Sequence, residues 1–413
     1  MKTTTQKSPT PTSDIVRQIW DSIPASERKA LLSSVEVLPS KTGMIRTIIK
    51  LSAKHLQSAF GQKHRVAIVG PANAGKSTLF NQFLQSKTDY AKVSPIPGTT
   101  IINQESDVGL FSIVDTPGAD TVGSLGVEQK ELAFRTAKDS DFIVVLFDAL
   151  QGIKQTELDL YKHIKNLHKP YVIVLNKIDL LQKDQKMVIQ QAARNLGLTD
   201  EEIIPISAKN GINLRQVVVA IALSEPRLVV ALGQALPEYR WQLAWNTIGN
   251  AASISAVIGL TPLPLIDFIP LAITQSVMVV GIARIYQYKI TLSRARELVF
   301  TFGLGFLGRT LFYQLSKFGG IPGWMLASAI AASTTVAMGY AASIWFEKGE
   351  RLSQGAIQRI TTQQVNYFLG LLKGLGKRKP SQKKLREHIS DELGKSRYAE
   401  TSDILEQEIR SPQ

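Results

Sequence analysis

Apolar and polar positions divide the chain into two kinds of text. Between residues 63 and 225, short apolar runs stop abruptly at polar or glycine-containing segments: Val66-Ala-Ile-Val69, Phe111-Ser-Ile-Val114, Val172-Ile-Val-Leu175 and Ile203-Ile-Pro-Ile206. Runs this short, bounded by breakers, predict strands buried on both faces, as in the parallel sheet of an α/β fold. After Trp241 the pattern changes. No charge occurs from Trp241 to Ile266, from Phe268 to Ala283, or from Phe318 to Phe346. These stretches predict helices without a wet face. Upstream, helical spacing (Ile15, Ile19 or Trp20, Ile23; then Ile45, Ile48, Ile49, Leu51, Leu56) predicts a small helical segment over 14–62, broken at Pro24 and Pro39. Residues 1–13 are polar and expected to be disordered, and the N-terminus shows no apolar core of a secretory signal.

The segments that end the strands carry the chemistry. Gly70-Pro-Ala-Asn-Ala-Gly-Lys-Ser-Thr78 matches the phosphate-cradling pattern G-x-x-x-x-G-K-[ST] directly after the first strand. Its glycines let the backbone wrap a polyphosphate, with the N–H groups of Ala74, Gly75 and the following helix start, Lys76 to Thr78, aimed at the anion. Lys76 would reach the β/γ-phosphates and Ser77 would hold Mg²⁺. A glycine-rich turn before a helix is the alternative for this motif alone. Three further stations follow. Asp115-Thr-Pro-Gly118 ends the second strand, placing Asp115 to hold Mg²⁺ through water and the Gly118 N–H to meet the γ-phosphate. Asn176-Lys-Ile-Asp179 ends the third, where the Asp179 carboxylate can accept two N–H bonds from a guanine edge that adenine cannot supply. Ser207-Ala-Lys209 follows the fourth, where the Ala208 N–H can cap the guanine carbonyl. Four stations in this order, each at a strand end, point to guanine nucleotides, GTP and GDP.

At these residues the chain resembles the Era, Der and MnmE-like branch of the translation-factor-like GTPases, over roughly 65–225. The resemblance implies a doubly wound P-loop domain and GTP hydrolysis. It identifies Val93-Ser-Pro-Ile-Pro-Gly-Thr-Thr100 with the first switch, whose threonine closes on Mg²⁺ and the γ-phosphate. Thr100 is favoured over Thr99, although the repeated threonine leaves the register open. It also places Asn73 where relatives keep an asparagine that helps bind K⁺; a turn-shaping role is the equal alternative. Ala119 stands where Ras-like enzymes carry the water-orienting glutamine. Alanine cannot orient water, so slow intrinsic hydrolysis is expected unless Asp120, Glu128 or a partner supplies that role.

The charge-depleted region resembles the domain of unknown function 697 family, through Pro262-Leu-Pro264 with Ile266-Asp267, through Gln275, and through Arg284-Ile-Tyr286. Its third stretch exceeds the roughly 20 residues needed to span a hydrocarbon core. Arg284, Lys289, Arg294 and Arg296 flank the second stretch, and Lys373, Lys377, Arg378, Lys379, Lys383, Lys384 and Arg386 form a basic run. Such runs gain about 1 kcal/mol per cation near anionic lipid. The expectation is therefore a helical hydrophobic domain over 226–350, in one or two membrane hairpins on the cytoplasmic face. A charged helical or disordered tail over 351–413 follows, solvated from Glu387 onward.

Composition narrows the classes. The chain has 413 residues, enough for about two or three domains. It holds no cysteine, which removes disulfides and thiolate metal sites. A net charge of +14 keeps nucleic-acid or ribosome binding open. The expected protein is a GTP-hydrolysing switch tethered to membrane lipid. A soluble RNA- or ribosome-associated GTPase, a membrane-remodelling assembly and a homodimer remain alternatives.

Overall fold

The computed structural model of the chain describes residues 64–84, 110–116, 135–181, 184–260, 268–288, 321–349 and 352–401. They form two compact units that divide between Tyr239 and Arg240.

The first unit is an α/β domain. Its five strands are β1 (Val66–Pro71), β2 (Phe111–Thr116), β3 (Phe142–Asp148), β4 (Tyr171–Asn176) and β5 (Ile203–Pro205). They lie in the order β2-β1-β3-β4-β5, and each neighbouring pair is parallel. A parallel sheet is covered on both faces, which is why these strands read as almost unbroken apolar runs. The helices are α1 (Lys76–Leu84), α2 (Gln155–Asn166), α3 (Gln185–Leu196) and α4 (Leu214–Ser224), followed by the short α5 (Val229–Ala235). Val145, Phe147, Ile173 and Leu175 meet Tyr161 and Ile164 of α2 and Ala193 and Leu196 of α3 in one core. The boundary expected after residue 225 lies upstream of the observed division. Leu228, Val229, Val230 and Leu232 are buried, and the turn Pro226–Leu228 and α5 pack with α4.

β3 was not among the expected strands. Its signal is plain in retrospect: Phe142-Ile-Val-Val-Leu-Phe147 is an uninterrupted apolar run ended by Asp148, and every residue of the strand is buried. It is the central strand, flanked by β1 and β4.

The second unit is helical: α6 (Arg240–Gly259), α7 (Phe268–Ile285), α8 (Gly323–Lys348), α9 (Gln354–Lys373) and α10 (Gln382–Lys395). α6 and α8 pack closely because small residues face each other. A Cβ on Gly259 would stand 2.6 Å from the Ala327 carbonyl oxygen, and one on Gly339 would stand 2.5 Å from Ile248 Cγ1. α7 packs on both. The Gln275 amide donates to Thr335 Oγ1 at 3.1 Å, and the Thr335 hydroxyl has Ser255 Oγ and the Ala331 carbonyl each at 2.8 Å. One buried polar cluster thus ties α7, α8 and α6 together.

The charged tail, expected to be helical or disordered, is helical over α9 and α10 and joins this packing. Only from Glu387 onward does that correct the expectation of a solvated segment, for the described residues. Ser353 and Ser381 cap the N-termini of α9 and α10, each hydroxyl accepting a bond from a first-turn N–H. α9 buries Ile360, Val365, Phe368, Leu369 and Leu372 and packs on α8. α10 buries Leu385, Ile389 and Leu393, a stripe at four-residue spacing, and packs on α6. The indole N–H groups of Trp241 and Trp245 donate to the carbonyls of Tyr398 and Leu393, both at 2.9 Å. Three apolar residues in fourteen are a weak stripe by sequence, and the partner that makes them core lies far along the chain. The expected N-terminal helical segment, residues 1–13 and the Pro262–Asp267 motif lie outside the described residues.

Candidate nucleotide-binding site

The carboxyl ends of the strands bring the described residues of the four stations to one edge of the sheet, where ligands of open parallel sheets bind. Gly70 of β1 is paired with Asp115 of β2, and Asp148 of β3 with Asn176 of β4. The phosphate loop is shaped by close approach. A Cβ on Gly70 would lie 2.2 Å from the Leu146 carbonyl oxygen of β3. At Gly75, φ is +95°, and a Cβ would lie 2.2 Å from the Asn176 side-chain nitrogen. Both glycines of G-x-x-x-x-G-K are therefore required by the neighbouring backbone and amide.

Lys76 opens α1 and is buried, its ammonium donating to the Gly70 carbonyl at 2.8 Å and to the Pro71 carbonyl. These two backbone carbonyls hold its ammonium at the mouth of the loop. Ala74 is buried, while Ser77 and Thr78 are half-buried in the first turn of the helix. Asn73 is exposed, with φ of +61°.

Asn176 joins three loops. Its Nδ2 donates to the Ala74 carbonyl at 2.8 Å and its Oδ1 accepts the Ala208 N–H at 2.9 Å. The Ala208 N–H, expected to cap a guanine carbonyl, is thus engaged by Asn176. Ser207 Oγ accepts the Asn210 N–H at 3.1 Å and closes that turn, and the exposed Lys209 offers its carbonyl to Gln82 of α1. Asp179 is half-buried in the helical turn Ile178–Leu180, and the Ile178 N–H donates to the Ile206 carbonyl. Lys177 precedes that turn with φ of +69°, and its ammonium lies 2.7 Å from Asp148 Oδ2. Asp148 was not among the expected site residues; an apolar run ended by an aspartate, as in β2, was the signal.

Thr99, Thr100, Gly118, Ala119, Asp120 and Glu128 lie outside the described residues, as does the side chain of Asp115. Among the described residues no three His, Asp or Glu groups cluster to hold a metal ion. The donors that fit Mg²⁺ are hard oxygens, the Ser77 hydroxyl and the Asp115 position beside Gly70.

Residues 65–177 match the protein family described as 50S ribosome-binding GTPase, and residues 223–368 match the domain of unknown function DUF697. The tRNA modification GTPase MnmE of Thermotoga petrophila is 34% identical over 166 residues, covering 38% of this chain and 34% of that protein. The GTPase Era of Aquifex aeolicus is 35% identical over 175 residues, covering 38% of this chain and 54% of that protein. A solved structure of a variant of Aquifex aeolicus Era bound to GDP.AlF4- is 29% identical, covers 49% of this chain and 69% of that one, and superposes with a TM-score of 0.33. The chain thus spans about a third of the MnmE relative and about half of the Era relative. It carries a GTPase domain homologous to those of MnmE and Era, followed by a DUF697 domain.

Proposed function

We propose that the chain is a switch that binds GTP with Mg²⁺, hydrolyses it to GDP and phosphate, and is tethered by its helical unit to the cytoplasmic face of a membrane. The observation that carries the nucleotide part is Asn176, which locks the phosphate loop to the base-recognition turns through Ala74 and Ala208. In this reading Lys76 neutralises the β/γ-phosphates, the Gly118 N–H meets the γ-phosphate, and Ser77, Thr100 and Asp115 hold Mg²⁺, which draws charge from the phosphoryl oxygens. Asp179 accepts the guanine N–H groups, while Ser207, Ala208 and Lys209 close over the base. Asn73, exposed in the phosphate loop, is the candidate K⁺ ligand. With Ala119 in place of a water-orienting side chain, intrinsic turnover is slow.

Base choice tests this directly. The wild-type protein is expected to bind GTP far more tightly than ATP, and Asp179→Asn to shift preference toward xanthosine nucleotides, measured by fluorescent-nucleotide competition. Equal affinity for ATP and GTP in the wild type refutes the assignment.

The tether rests on α8, the one helix among the described residues that is by itself long and apolar enough to cross a membrane, with a mean hydropathy of 1.3 over its best window. The basic residues between α9 and α10 support contact with anionic lipid. A second reading, a water-facing bundle that binds a partner, is favoured by a specific observation. The same window of α8 is 72% buried inside the fold, and α10, which covers α6, carries Lys383, Lys384, Glu387 and Asp391 on its exposed face. Fractionation separates the two. A membrane-inserted unit stays in the pellet through high salt and alkali; a water-facing bundle is released by salt or never sediments.

A further inference from the structure

Asp148 belongs to none of the four stations, yet it ends the central strand at the same edge of the sheet, and only 4% of it is exposed. A carboxylate so placed is costly unless its oxygens are engaged. Both are: Oδ1 accepts the Leu150 N–H at 2.9 Å and Oδ2 accepts the Lys177 ammonium at 2.7 Å. The backbone reinforces the arrangement, since Asp148 is paired with Asn176 and the Ala149 N–H donates to the Asn176 carbonyl at 2.9 Å. Lys177 holds a left-handed conformation, with φ of +69°, that costs a side-chain-bearing residue roughly 1–2 kcal/mol. It sits between Asn176, which ties the loops together, and Asp179, which the site offers to the base. The Asp148 ion pair therefore anchors the one strained residue that links the two.

We propose that Asp148 is a positioning residue for guanine-nucleotide binding that acts through Lys177; this rests on the reading of the site as a GTP site. Its carboxylate holds the ammonium and the left-handed turn in place, so that Asp179 meets the base without reorganisation. A structural ion pair that merely closes the end of β3 against β4 is the competing account.

A double-mutant cycle on the full chain separates them. Asp148→Asn keeps the size of the side chain and an acceptor for the Leu150 N–H, and removes the charge. GDP affinity is expected to fall by roughly ten-fold or more, the range for a hydrogen bond to a charged group. In a Lys177→Met background the same substitution is expected to change the GDP Kd by less than about two-fold, because the group it acts through is gone. An equal loss in both backgrounds, or none in either, overturns the proposal. Asp148→Ser, which also retains an acceptor, gives the same cycle if the asparagine variant does not fold. Wild-type protein that binds no guanine nucleotide would sink the site reading itself and the proposal with it, whereas a tight wild type with an indifferent Asp148→Asn sinks the proposal alone.

Discussion

The nucleotide unit and the helical unit solve opposite problems with apolar residues. In the first, buried strands are short, and Gly70, Asp115, Asp148 and Asn176 lie at their carboxyl ends, at the candidate site. In the second, the apolar residues run for whole helices, and the polar groups among them serve packing. Gln275, Thr335 and Ser255 hydrogen-bond to one another in the interior, and Ser276, Ser333 and Ser343 return bonds to carbonyls one turn earlier. Polar residues at strand ends therefore line the candidate site here, while polar residues inside long apolar helices serve helix–helix contact.

The largest expected effect breaks the first unit and spares the second. Lys76→Ala is expected to abolish tight GTP binding, since a buried cation at the phosphates is lost, and to leave the helical signal in circular dichroism unchanged. The converse is next in size. Gly339→Val places a side chain against Ile248 and Met278 and is expected to cost the helical unit about 1–3 kcal/mol, read as a lower denaturation midpoint, with GTP affinity unchanged. A loss of nucleotide binding in that variant would show that the units are energetically coupled. Smaller still is Trp245→Phe, which deletes the bond to the Leu393 carbonyl and is expected to cost about 1 kcal/mol in the same measurement. The smallest sharpens the site. Hydrolysis is expected to rise several-fold when K⁺ replaces Na⁺ at constant ionic strength, and Asn73→Ala to erase the difference; equal rates in both salts would leave Asn73 a turn residue.

Most of the nucleotide unit was legible because its information is local. A phosphate loop is nine consecutive residues, and a buried parallel strand is a continuous apolar run whose neighbours need not be known. The exception is β3, a run as clear as the others but followed by no motif; with it went Asp148, whose ion-pair partner Lys177 lies in another strand's loop.

By itself the sequence determined the α/β class of the first unit, the guanine-nucleotide stations and their order, and the charge-free character of the helices that follow. Only the tertiary structure decided that Asn176 clasps Ala74 and Ala208, that Asp148 anchors Lys177, and that the weak stripe of Leu385, Ile389 and Leu393 is core. The physical reason is range. Strand and loop propensities are written in adjacent residues, whereas burial depends on which distant surface arrives to cover a side chain. α10 is almost wholly polar, and its three apolar residues become interior because α6, more than a hundred residues earlier, presents Trp241, Trp245 and Gly249 to that segment.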